Sequence, residues 1–250
     1  GAPRGNGASE GVPPFAEEMN RSRRAMAELG RQVAAAGGRC LLVDLYGTGD
    51  SAGDFVEADW ATWLDTLDAA GDWLGSGVAG RIALLAIRAG ALLAVDWLGR
   101  RPDGVDRLAL WQPVLTGEQW LKQFLRLRVV AEKFDGRDTT VAALRTELAR
   151  QGALEVAGYR IGESLATALD SARLDAWSPA AGMDVHWLDV GGGARAMPGG
   201  AAAGVVNRWR SGGARVEWRA VGDEQFWATQ EIVLPSALVD VTRPLLMADR

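Results

Sequence analysis

The stretch Arg81-Ile-Ala-Leu-Leu-Ala-Ile-Arg-Ala-Gly-Ala-Leu-Leu-Ala94 decides the architecture, because its period changes with no connecting loop. Arg81 to Ile87 is a short apolar run of the kind that fills a strand buried on both faces, and Ala89 to Leu98 continues at once as a helix. Working outward, similar runs rich in branched residues predict strands at Arg39 to Asp44, Asp106 to Gln112, Met183 to Val190 and Arg215 to Val221. A helix at Ser22 to Ala36 precedes the first strand. Between the first two strands, Trp60, Trp63, Leu64, Leu67, Gly71 and Leu74 form a stripe on one helical face. Strands alternating with helices predict an α/β fold, a mostly parallel sheet flanked by helices.

From Thr116 to about Leu174 the strand pattern lapses, and helices are expected at Glu118 to Phe134, Thr139 to Gln151 and Ile161 to Ala172. Residues 116–174 therefore read as an all-helical cap inserted into a single domain spanning 1–250. Its first helix carries Lys122, Arg126, Arg128 and Lys133 beside Trp120, Leu121, Phe124, Leu125 and Val129. That pattern fits a solvated basic face over an apolar one, or a basic lid turned toward a ligand. Gly191 to Gly200 reads as a glycine-rich connection. Gly5 to Val12 has no strand character, so the N-terminal strands are expected to be missing or degenerate. A gap or a weakly paired strand should then separate the strands at Arg39 and Arg81.

Composition bounds the function. With 250 residues, 48% of them hydrophobic, the chain can bury one large core. One histidine, His186, and one cysteine, Cys40, exclude a Cys/His zinc cluster and a disulfide framework; no metal and no cofactor is expected. A formal net charge of -5 argues against nucleic acid as a partner. The longest uncharged run, Ala196 to Asn207, is Gly/Ala-rich and shorter than the roughly 20 apolar residues of a membrane span. Gly1 to Val12 lacks the apolar core of a signal peptide, so a cytoplasmic location is expected. Oligomeric state is not legible. Most of the 11 tryptophans are expected to pack the core.

The junction Ala86-Ile-Arg-Ala-Gly90 has the place and spacing of a nucleophile elbow, a strained turn that lifts one side chain over a helix start. The lifted residue is Arg88, and a guanidinium protonated at any accessible pH cannot attack a carbonyl. It can hold an anion with the help of the helix N-terminus, or pair with a carboxylate such as Asp189. Gly47-Thr-Gly-Asp-Ser-Ala52 formally fits a dinucleotide fingerprint, but Asp44, Asp50 and Asp54 crowd it and no acid ends a second strand about 20 residues later. A turn-rich loop with local Asp50 and Ser51 bonds is the expectation. Cys40 is expected to be buried and inert.

Four segments together resemble the α/β-hydrolase family associated with the exosortase A system, found in bacteria with PEP-CTERM protein sorting and exopolysaccharide production. They are Pro14-Phe-Ala-Glu-Glu-Met-Asn-Arg-Ser-Arg-Arg24, Asp44-Leu-Tyr-Gly-Thr-Gly-Asp-Ser-Ala-Gly-Asp-Phe55, Ile87-Arg-Ala-Gly-Ala-Leu-Leu-Ala94 and Val221-Gly-Asp-Glu-Gln-Phe-Trp-Ala-Thr-Gln-Glu231. The resemblance implies an α/β-hydrolase fold with a helical cap. Carried over position by position, the nucleophile is Arg88, the acid falls near Asp189, and the oxyanion loop is Pro14 and Phe15, followed by Glu17 and Glu18. The loop Gly222 to Trp227, where the triad histidine belongs, has none. His186 lies inside a strand, where a structural role is expected. A Ser-His-Asp relay is therefore not supported. The expected function is binding of an anionic or acyl small molecule in the former active-site pocket. Arg88 would anchor it, Asp189 or Glu224 would orient the arginine, and Phe15, Trp111, Trp227 and the cap would enclose the ligand. The alternatives are an ester or thioester hydrolase or acyltransferase of atypical mechanism, led by Ser51 or by carboxylates drawn from Glu17, Glu18, Asp44, Asp189 and Glu224, and a non-catalytic interaction protein with a tryptophan-rich surface.

Overall fold

The computed structural model describes residues 7–76, 81–101, 104–191 and 197–247. In chain order the elements are β1 (Ala8–Val12), α1 (Glu17–Ala35), β2 (Arg39–Leu42), α2 (Trp60–Gly75), β3 (Ile82–Ile87), α3 (Gly90–Arg100), β4 (Val105–Trp111), α4 (Gly117–Phe134), α5 (Val141–Gln151), β5 (Ala153–Val156), β6 (Tyr159–Gly162), α6 (Glu163–Ser171), β7 (Asp184–Val190), α7 (Gly200–Ser211), β8 (Arg215–Val221) and α8 (Ser236–Met247). Six strands form one parallel sheet in the order β2-β1-β3-β4-β7-β8. Helices α1 and α8 cover one face with Met26, Leu29, Val33, Leu238 and Val239; α2, α3 and α7 cover the other with Trp63, Leu67, Leu92, Val206 and Trp209. Of the glycine-rich connection at 191–200, residues 192–196 lie outside the described residues. Among the described residues, no helix is long and apolar enough to cross a membrane.

The expected gap at the N-terminus is not there. β1 is a regular central strand, registered Ala8 to Arg39 through Gly11 to Leu42 on one side and Ala8 to Ile82 through Val12 to Ala86 on the other. Ladder pairing on both edges overrides the poor strand propensity of Ala-Ser-Glu-Gly, and its small residues fit the tight space between neighbours. A Cβ at Gly11 would already touch Leu42 at 3.0 Å. The exception to that economy is Glu10. It is fully buried on the α2 side, beside Gly71 and Trp97, and neither carboxylate oxygen has a hydrogen-bond partner.

The insertion between β4 and β7 is not all helical: β5 and β6 form an antiparallel hairpin between α5 and α6. Its tight turn, Ala157-Gly158, has φ of 51° and 83°, a pair of positive values that suits a two-residue hairpin. The insertion closes at its base, where the Gly117 N–H donates to the Ala172 carbonyl at 2.9 Å and the Leu174 N–H to the Leu115 carbonyl at 2.9 Å. Gly117 is required at this neck, since a Cβ there would lie 1.6 Å from the Leu169 carbonyl oxygen. Gly117→Ala must separate α4 from α6, and is expected to cost about 3 kcal/mol. A thermal unfolding midpoint unchanged from the parent would contradict this packing.

Candidate functional site at the β3–α3 elbow

Arg88 turns the chain from β3 into α3 with φ 52°, a left-handed backbone that costs a bulky residue about 1 to 2 kcal/mol. The turn is pinned from several sides. The Arg88 N–H donates to the Trp111 carbonyl at 2.9 Å, and the Arg88 carbonyl accepts from Ala91 and Val114, both at 3.2 Å. Gly90 lets Pro13 approach, because a Cβ would sit 2.3 Å from the Pro13 oxygen. Ala16, at the start of α1, has φ 52°, and Gln112, just past β4, has φ 42°. Three non-glycine residues with positive φ thus converge past the C-terminal ends of β1, β3 and β4.

The Arg88 guanidinium is engaged. Nε and Nη2 donate to Glu18 Oε1 at 3.2 and 3.0 Å, Nη1 donates to the Gln112 carbonyl at 3.2 Å, and the group lies 4.8 Å from the Trp227 ring centroid. Side-chain exposure of 13% for Arg88 and 11% for Glu18 marks this as a largely desolvated ion pair. Glu18 Oε2 is buried with no partner, as is Glu17 Oε2. Burial pushes the Glu17 carboxyl up to about 7; Glu18 adds to the rise, and Arg21 and Arg88 oppose it. Tyr159, from β6 of the insertion, faces the same cluster: its hydroxyl accepts from Asn20 Nδ2 at 2.6 Å, and its own proton is held more tightly through burial and the nearby Glu17.

The partner of Arg88 is Glu18 and not Asp189. The Asp189 carboxylate accepts from the Trp187 indole at 2.8 Å and from Trp218 at 3.0 Å, on the side of the sheet packed by α7. Trp111 is wholly buried on the opposite face, with its indole N–H given to Thr242 Oγ1 at 2.8 Å and its ring edge-on to Phe226. Phe15 is also buried, edge-on to Trp60 and Trp120 and tilted against Trp63, and Trp120 stacks on Phe124. This aromatic pack fills the space between α2 and α4. Glu224 is exposed and lines an open cavity of about 530 Å³ beyond β7 and β8, with Gly191, Asp223 and Gln225. Of the six side chains expected at the site, Arg88 and Trp227 meet there.

Other expectations fall as follows. The Ser51 hydroxyl donates to the Asp44 carbonyl at 2.7 Å and the Asp50 N–H to the Asp44 carboxylate at 3.0 Å, so the glycine-rich loop folds on itself. His186 shares a hydrogen bond with Glu217 at 3.2 Å, and burial holds its pKa below the usual histidine value despite that carboxylate. Cys40 is half-buried, which raises its thiol pKa. Among the described residues, no group of three or more His, Cys, Asp or Glu is placed to hold a metal ion. Sequence reasoning did not single out Gln112 or Tyr159, and neither stands in a pattern that marks it.

Three of the four segments quoted for the family resemblance meet at this site, and the second is joined to the first beside it. Glu18 of the first pairs with Arg88 of the third, Arg88 stacks on Trp227 of the fourth, and Arg23 of the first pairs with Asp44 of the second. No protein-family model and no curated protein matches the chain. Solved structures do. Est1E from Butyrivibrio proteoclasticus, with ferulic acid bound, is similar at TM-score 0.63 and 14% identity over 96% of this chain and 86% of its own. Mouse alpha/beta hydrolase domain-containing protein 10 is similar at 0.58 and 14% over 98% and 90%. The metagenome-derived lipolytic enzymes LipS and LipT are represented at 0.55 and 14% over 97% and 95%. Identities this low speak for the fold alone, and with the parallel sheet, the sharp elbow and the insertion after β4 they establish that this chain has the α/β-hydrolase fold.

Proposed function

We propose that the protein keeps the α/β-hydrolase scaffold without its acyl-transfer relay, and binds a small acyl compound at the elbow. The observation that carries this reading is Arg88, held in the strained elbow backbone with its charge already balanced by Glu18. A relay needs a nucleophile and a base. The chain's one histidine is committed to Glu217, and Asp189 to two indoles. Ligand chemistry follows from the charge count. Two carboxyls, Glu17 and Glu18, face one paired guanidinium, so a bare anion would bring a third negative charge into a poorly solvated site. A neutral carbonyl compound fits better: its oxygen accepts from the remaining Arg88 N–H groups, and its own N–H or O–H satisfies the partnerless Glu17 or Glu18 oxygen. Because the aromatic pack fills the space beneath α4, the ligand is small. The resemblance of the four segments to the exosortase-associated family is the ground for a setting in exosortase-associated sorting or exopolysaccharide systems.

Titration calorimetry with straight-chain amides from acetamide to octanamide is expected to give saturable binding that Glu17→Gln weakens about tenfold. The matched carboxylates are expected to bind more weakly as the pH rises through about 7, where Glu17 loses its proton and repels them. Carboxylates that bind best, at a pH where Glu17 is ionised, would contradict this assignment. A second reading rests on Glu17 itself, whose pKa near neutrality suits a general base for hydrolysis of atypical mechanism. Turnover abolished by Glu17→Gln would favour it.

A further inference from the structure

Helix α4 buries one face through Leu121, Phe124 and Leu125, yet it also presents apolar side chains to solvent. Leu127, Val130 and Phe134 are 39%, 54% and 88% exposed, and their spacing of i, i+3 and i+7 aligns them in one outward stripe. On the flank of that stripe, offset by about a quarter turn, lie Lys122, Arg126 and Lys133, all exposed. Among the described residues none of the three forms an ion pair, whereas Arg128 on the other flank is tied to Glu132 and Glu147. A row of cations without an ion pair among the described residues, beside an exposed apolar row on a chain whose net charge is -5, is a local exception to the protein's charge.

We infer that the outer face of α4 docks on an anionic lipid surface. An interfacial helix lies in the membrane plane with its apolar face among the acyl chains and its cations at the level of the phosphates. The adjoining rows on α4 have that layout, and three apolar side chains are too small a patch for the roughly 800 Å² per partner of a stable protein interface. Phe134, the most exposed of the three, is the deepest-inserting residue.

Co-sedimentation of the full chain with vesicles tests this directly. Retention is expected on phosphatidylcholine vesicles containing about 30% phosphatidylglycerol at roughly 0.05 M salt, and its loss at roughly 0.5 M salt. Pure phosphatidylcholine vesicles are expected to leave the protein in the supernatant. The triple variant Lys122→Gln, Arg126→Gln, Lys133→Gln should lower partitioning about a hundredfold, and Phe134→Ser should lower it at least about tenfold. All four side chains are exposed, so both variants are expected to melt with the parent. A parent protein that stays in the supernatant with anionic vesicles overturns the inference and leaves this face to an acidic protein partner; equal retention of the parent on neutral vesicles overturns it as well.

Discussion

At pH 8, Glu10→Gln is expected to be more stable than the parent by roughly 4 kcal/mol, and at pH 5 to lie within about 1 kcal/mol of it. Glu10 sits in the middle of β1 with no exposed surface and no hydrogen-bond partner, near Asp68 and Arg101. Burial raises its pKa from 4.5 to about 8; Arg101 lowers it and Asp68 raises it. Because the folded-state pKa is raised, the native chain holds a proton that the unfolded chain releases above about pH 4.5. Stability is fullest below that value and falls until the native group itself ionises near pH 8. Glutamine mimics the protonated acid and removes the dependence. Denaturant melts of both proteins at the two pH values measure it, and a difference that does not grow with pH would show that Glu10 is solvated.

Arg88→Ala is expected to destabilise the protein by about 3 to 5 kcal/mol, because it leaves the Glu18 carboxylate buried without its partner. The double variant Arg88→Ala, Glu18→Gln should recover much of that loss, since removing both charges also removes the cost of desolvating them. If the double variant is no more stable than the single one, the arginine matters through its stacking on Trp227 and not through its charge. Either result bears on the proposed function, for the ion pair is what occupies the β3–α3 elbow.

How much of this was legible beforehand depended on which force fixes each element. β8 is legible residue for residue, since its branched and aromatic residues alternate and turns bound it. β1 is not legible in the sequence because it becomes a strand through its neighbours, and nothing within Ala-Ser-Glu-Gly-Val announces two partner strands about 30 and 75 residues away. The β5–β6 hairpin was missed for a local reason: Ala157-Gly158 is a weak signal beside the Asn-Gly or Asp-Gly that usually marks such a turn. At the site, the abrupt change of period exposed the elbow and its arginine. Which carboxylate pairs with Arg88 is a property of loop geometry; Glu18 lies 70 residues away in sequence. Trp111 shows the limit of reasoning from strand ends. Strand alternation puts it on the same face as Ala109, under α8, whatever its distance from the end.

The proposed function requires that the elbow of this hydrolase fold does not perform acyl transfer. The most direct measurement is turnover of a small panel of aryl esters and acyl thioesters by the purified, cooperatively melting protein, run beside Arg88→Ala. Release no faster than in buffer alone is expected for both proteins. Turnover that survives purification and disappears in Arg88→Ala would contradict it.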